Sequence, residues 1–287
     1  MDMRGFFYQL DQLFEAKELE QAESFMKDSL SAAEKEKDLG AVISICNELG
    51  GYYRAVSRYR EGILLYEKAL RCIANLGLEG TEHHGTTLIN FATTYTMIGE
   101  SEKALRLYMQ AADIFSNVGL DTDYRLATLF NNMSFLCEDL GELDSAAEYL
   151  NRALYILNAL EESQIEIAIT YTNLANIYLE QDQLNEAKVT VKKALDIFIK
   201  ETEGLDVHYS AAVCALGEIY YKENNYEKAV SLFEKALELT KRDYGDSTLS
   251  CAILLENIAQ CEQNMDMQQE ANLHKEQALQ IREKINI

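Results

Sequence analysis

A small side chain returns along this chain at nearly constant spacing, at Ala22, Gly62, Ala104, Ala146, Ala187, Ala229 and Ala271, with intervals of 40, 42, 42, 41, 42 and 42 residues. A period that regular over 287 residues means that one supersecondary unit is stacked repeatedly, each copy covering the apolar face of the next. It overrides the soft prior of roughly two domains that length alone suggests. A single repeat domain over residues 1–287 is the expectation.

Seven residues beyond each mark lies another small residue, at Ser29, Ala69, Ala111, Ala153, Ala194, Ala236 and Ala278, with Met26, Tyr66, Tyr108, Leu150, Val191 and Phe233 between them. Offsets of four and seven place these on one helical stripe, where small side chains let a second helix approach and the large one fills the space beside them. Upstream stands a second stripe at i, i+3, i+4, i+7: Phe130, Met133, Ser134, Cys137 in the fourth repeat, Tyr171, Leu174, Ala175, Tyr178 in the fifth, Val213, Leu216, Gly217, Tyr220 in the sixth. Short polar turns such as Gly141-Glu142-Leu143-Asp144 join the two stripes, and acidic or amide residues there suit the positive end of the second helix. Each unit reads as an αα-hairpin. The absence of Pro and Trp agrees with an all-α chain that offers few of the stops found in β-rich folds.

These units resemble the tetratricopeptide repeat, whose 34-residue consensus places residues of these sizes at these relative positions. The 42-residue period and the run Asn173-Leu174-Ala175-Asn176-Ile177-Tyr178 resemble the longer, kinesin-light-chain-like subtype. The resemblance implies a right-handed superhelical solenoid of about seven hairpins, about 14 helices, with repeats near 3–36, 43–78, 85–120, 127–161, 168–203, 210–244 and 252–285. The consensus Trp position carries Phe6, Cys46, Leu88, Phe130, Tyr171, Val213 and Leu255, and the consensus Pro never occurs. In the seventh unit two large positions become Glu262 and Lys275, as expected where no neighbour covers a terminal repeat.

In such a stack the first helices line the concave side, so their residues outside the packing stripe are the candidates for contact with a ligand. The candidate peptide-binding residues are Asn47, Asn90, Asn131, Asn132, Phe135, Asn173, Asn176, Glu218, Asn257 and Gln260. An amide can donate to a backbone C=O and accept from a backbone N–H, which suits an extended peptide of any sequence. Related grooves use ladders of Asn this way, and the matching residues are Asn90, Asn132, Asn173 and Asn257. The alternative is that these Asn cap or bridge neighbouring helices. Glu48, Glu138, Asp139, Glu180, Glu218 and Glu256 are expected on the same side, relieved by Arg54 and Lys222, so a basic or neutral peptide is the expected partner. The competing reading is an acidic surface that only keeps the chain soluble. The preference of kinesin light chain for acidic cargo peptides is not carried over.

Lys and Arg number 26 against 48 Asp and Glu, a net charge of −22, which argues against nucleic acid and anionic membrane as partners. The motifs of a phosphate loop, a GxSxG elbow or HExxH are missing, so no enzymatic activity and no cofactor are expected. His83 and His84 are adjacent, a poor geometry for sharing one metal, and are expected in an exposed inter-repeat turn. Cys46, Cys72, Cys137, Cys214, Cys251 and Cys261 show no CxxC pair and mostly occupy apolar positions, which points to reduced thiols and, with no apolar signal core, to the cytoplasm. Two further functions stand as alternatives: a peptide-sensing regulatory receptor, and a self-assembling subunit, a homodimer through Leu273, Ile281, Ile285 and Ile287.

Overall fold

A computed structural model describes residues 1–285 and contains fourteen α-helices among them, with no strand. The chain divides into two compact units, the first Met1–Gly141 and the second beginning at Glu142. The first unit holds α1 (Met3–Glu15), α2 (Leu19–Glu36), α3 (Leu39–Ala55), α4 (Tyr59–Asn75), α5 (Glu82–Met97), α6 (Ser101–Asn117) and α7 (Tyr124–Asp139). The second holds α8 (Leu143–Leu157), α9 (Gln164–Glu180), α10 (Leu184–Thr202), α11 (Tyr209–Lys222), α12 (Tyr226–Tyr244), α13 (Leu249–Asn264) and α14 (Gln268–Lys284). Odd-numbered helices are the first of each pair and even-numbered ones the second.

Each first helix is followed by one residue in the left-handed region: Lys17, Ser57, Gly99, Gly141, Asp182, Asn224 and Asp266, always five residues before the marked small side chain. A helix ended this way exposes its last carbonyls, and a bond from the next N–H recovers one of them. Glu18, Arg58, Glu100, Gln183, Asn225 and Met267 donate their N–H to Leu13, Tyr53, Tyr95, Tyr178, Tyr220 and Glu262, at 2.7–3.0 Å. Only two of the seven reversals use Gly; the others accept the local cost because tertiary packing fixes the hairpin.

Every second helix carries an acidic residue in its first turn, Glu20, Glu61, Glu102, Asp144, Glu186, Glu227 and Glu270, set against the positive end of the helix dipole. First helices more often use a side-chain cap: Asp2, Asp38, Thr81, Asp123 and Thr248 accept from backbone N–H groups two or three residues on. These caps start α3, α5, α7 and α13 three or four residues before the spans given by the apolar pattern. His83 and His84 consequently lie in the first turn of α5 and not in the inter-repeat loop; His83 is exposed as expected, while His84 is half-buried and its Nδ1 accepts from the Gly80 N–H at 3.1 Å.

All seven marks are buried, as are the small residues seven positions on and the large ones between them as far as Phe233. Lys275, at the corresponding place in the last helix, is exposed. Tyr66 and Phe233 face the first helices of their own pairs. An added Cβ on Gly50 would lie 2.7 Å from the Tyr66 ring, and one on Gly217 would lie 2.8 Å from the Phe233 ring. Glu262 departs from its expected role as an open terminal residue: it is 5% exposed and its carboxylate meets Nδ1 of His274 at 2.8 Å, so the buried acid is paired.

Candidate functional site

The first-helix face is best formed in the second unit. On α11, Ala211, Cys214, Glu218 and Tyr221 follow i, i+3, i+7, i+10; on α13, Ser250, Ile253, Asn257 and Gln260 do the same. Such spacing keeps each set on one side of its helix. The two rows line two adjoining hollows.

The larger hollow, about 450 Å³, is walled by Val207, Ala211, Cys214, Tyr244, Ile253 and Leu254, with His208 and the hydroxyls of Ser210, Thr240, Thr248 and Ser250 completing its lining. Its volume lies within the range of small-ligand sites, roughly 300–1,000 Å³. The smaller, about 100 Å³, is lined by Glu218, Tyr221, Phe233, Asn257 and Gln260. Three of the residues singled out from sequence, Glu218, Asn257 and Gln260, therefore meet in one cleft.

Between the hollows Cys214 donates its thiol to Oε1 of Glu218 at 3.6 Å. Burial pushes the Cys214 thiol far up, which leaves it protonated and able to donate. The Glu218 carboxyl is also raised, first by desolvation and then by the like charge of Glu180, against the Cys214 bond and the charge of Lys222. Lys222 is itself held by the Leu179 carbonyl at 3.2 Å and Asp182 at 3.5 Å. The cleft thus presents a carboxyl group flanked by amides.

A raised carboxyl pKa has a signed consequence. The folded chain keeps the Glu218 proton at pH values where the unfolded chain has released it, so this group's contribution falls as pH climbs from the ordinary glutamate range through the raised value. Glu218→Gln, neutral throughout, should flatten that part of the stability profile. Urea midpoints of both proteins between about pH 4 and 7 measure it, and identical slopes would contradict the assignment.

In the first unit Asn47 and Asn90 bridge helices. Asn47 donates to the Ile43 carbonyl at 3.0 Å and to Thr87 at 2.9 Å, while Asn90 donates to Oδ1 of Asn47 at 3.1 Å. Arg54 donates to the Asn90 carbonyl at 3.2 Å, adding a third tie between α3 and α5. Both donors of Asn47 are used this way. Asn131 donates to the Ala127 carbonyl at 3.2 Å within α7. Asn132 on α7 is half-buried, and Phe135, one turn along, is 60% exposed. In the second unit Asn173 and Asn176 are half-buried on α9.

The expected acidic row is thinner than sequence suggested. Glu256 is drawn to α14, where Arg282 holds it through two bonds of 2.8 and 3.0 Å and lowers its pKa. Asp139 accepts from Ser101. Glu48 stays open to solvent, yet its carboxyl is raised by surrounding protein and by Asp11. Of the residues expected at an end face, Leu273 is exposed, whereas Ile281 and Ile285 pack with Cys251, Leu255 and Ala278; Ile287 lies outside the described residues.

The apolar hollow was missed from sequence. Cys214 and Ile253 stand one turn before Glu218 and Asn257, so extending the groove positions by four residues finds them. Val207 and Tyr244 lie at or beyond helix ends, where no periodicity marks them.

The sequence signature described as "Tetratricopeptide repeat" matches residues 41–117, 125–200 and 209–284, most of the chain. Protein KINESIN LIGHT CHAIN-RELATED 3 of Arabidopsis thaliana is 23% identical over 219 residues, 76% of this chain and 34% of that protein. KINESIN LIGHT CHAIN-RELATED 1 of the same plant is 25% identical over 223 residues, 77% of this chain and again 34% of the relative. The chain thus spans about a third of the length of these curated relatives. Among solved structures, the apo form of RapI is similar with a TM-score of 0.77 at 15% identity, covering 100% of this chain and 99% of that one. BtubC from P. vanneervenii is similar with a TM-score of 0.64 at 20% identity, covering 79% and 92%. Those likenesses concern the fold. With three matched segments, fourteen helices and a reversal of one kind between the helices of every pair, the chain belongs to the tetratricopeptide repeat family.

Proposed function

We propose that this chain is a non-enzymatic scaffold of the cytoplasm that binds a protein or an extended peptide on the face lined by its first helices, and that it prefers basic or neutral sequences to acidic ones. The observation that carries the reading is the convergence of Glu218, Asn257 and Gln260 on one cleft beside an apolar hollow. Amides pair with peptide backbone, the carboxylate attracts cations, and the hollow accepts an apolar group. Free thiols at all six cysteines agree with a reducing setting. No helix among the described residues is long and apolar enough to cross a membrane.

Peptide arrays probed with the full chain test this. Basic and neutral peptides should be retained above acidic ones, and retention of the basic ones should fall as salt rises from about 0.1 to 1 M, where the screening length shrinks from about 10 to 3 Å. Strongest retention of acidic peptides overturns the charge preference; no retention of any peptide overturns the scaffold reading.

A further inference from the structure

The two hollows of the second unit differ in chemistry, and residues that line them stand one helical turn apart on both α11 and α13, which narrows what can occupy them together. From Cys214 to Glu218 on α11, and from Ile253 to Asn257 on α13, is one step of four residues, about 6 Å along each helix axis. An extended peptide returns its side chains to the same face every second residue, about 6.6 Å apart. The match is close.

The larger hollow gathers three exposed apolar side chains, Val207 at 40%, Ile253 at 41% and Tyr244 at 56%, around a floor that includes buried Leu254. Clustered exposure of that kind marks a surface that gains from being covered. The smaller hollow ends in Glu218, whose neighbour Glu180 adds like charge while Lys222 is engaged by Leu179 and Asp182. An incoming carboxylate would be repelled there and an incoming ammonium or guanidinium welcomed.

We infer that the groove between α11 and α13 takes an extended peptide bearing a large apolar side chain and, two residues away, a lysine or arginine. The apolar group fills the hollow beside Ile253, the cation meets Glu218, and Asn257 and Gln260 bond the backbone. This assignment rests on the scaffold reading above and gives it a ligand class.

The test is fluorescence anisotropy of the full chain with the labelled nonapeptide Gly-Ser-Gly-Leu-Ser-Lys-Gly-Ser-Gly. Three companions replace Leu by Ser, replace Lys by Glu, or insert one Ser between Leu and Lys, which turns the two side chains to opposite faces. The parent should bind at least about tenfold more tightly than each companion. Glu218→Gln should erase the preference for Lys, and Ile253→Ser the preference for Leu; both alter side chains open to or bordering solvent, and thermal melts check that the fold survives. Binding that ignores spacing and both variants overturns this inference and leaves the scaffold reading intact. If the array retains peptides elsewhere on the chain but none of these four bind, the inference falls alone. If neither the array nor these probes bind, or a second copy of the chain fills the groove instead, both readings fall.

Discussion

Phe233→Ala should lower the stability of the second unit by about 3–5 kcal/mol, the cost of removing a buried aromatic ring and leaving a void. The upper part of that range is expected here for a structural reason. Phe233 is 2% exposed and its ring lies against Gly217, which has no side chain to move into the gap. The same ring forms part of the cleft that holds Glu218 and Asn257, so its loss opens the core to that cleft. Urea unfolding followed by helical circular dichroism measures the effect. In a stack where each repeat is stabilised by its neighbours, the lesion should also loosen α11 and α13 ahead of the first unit. A loss below about 1 kcal/mol would mean that the ring is not a packing element.

Gly50→Ala should destabilise the first unit by about 1–3 kcal/mol, although alanine is the better helix former by up to about 1 kcal/mol. The sign is decided by space. The new Cβ would stand 2.7 and 2.8 Å from Tyr66 ring atoms, and the ring is fully buried with nowhere to withdraw. Gly50 and Tyr66 are sixteen residues apart, as are Gly217 and Phe233, Ala92 and Tyr108, and Ala175 and Val191. The last pair shows the alternative solution, a larger small residue against a smaller large one. Ala92 does carry a Cβ in the pair with Tyr108, whereas α3 and α4 meet glycine to glycine, a Cβ on Gly62 falling 3.2 Å from the Gly50 carbonyl oxygen. Adding Tyr66→Val to Gly50→Ala should therefore restore part of the loss, with a coupling of about 0.5–3 kcal/mol in a double-mutant cycle. Strict additivity would contradict the pairing.

Much of the architecture was legible because one period repeats across seven copies. The burial of Ala22 through Ala271 follows directly from that spacing, and the left-handed residues at Lys17, Ser57 and their counterparts keep the same register. Features outside the period were harder to read. The early starts of α3 and α5 depend on single caps, Asp38 and Thr81, which a search for apolar stripes passes over. Glu262 looked like a surface acid because its partner His274 lies on the next helix, twelve residues on. Asn47 and Asn90 recur where groove residues are expected, yet bond to each other between α3 and α5. Position alone does not separate an amide aimed at a ligand from one that ties two helices. The apolar hollow needed three helix ends brought together, including Val207 and Tyr244, which no stripe contains.

Photo-crosslinking locates the bound peptide on the chain. A basic peptide retained on the array, carrying a benzophenone, is irradiated with the full chain and the attachment sites are read by mass spectrometry. Attachment on first helices, with α11 and α13 foremost around Cys214, Ile253 and Asn257, is the expected result. Attachment confined to second helices such as α10, α12 and α14 would place binding on the other side of the hairpins and contradict the account.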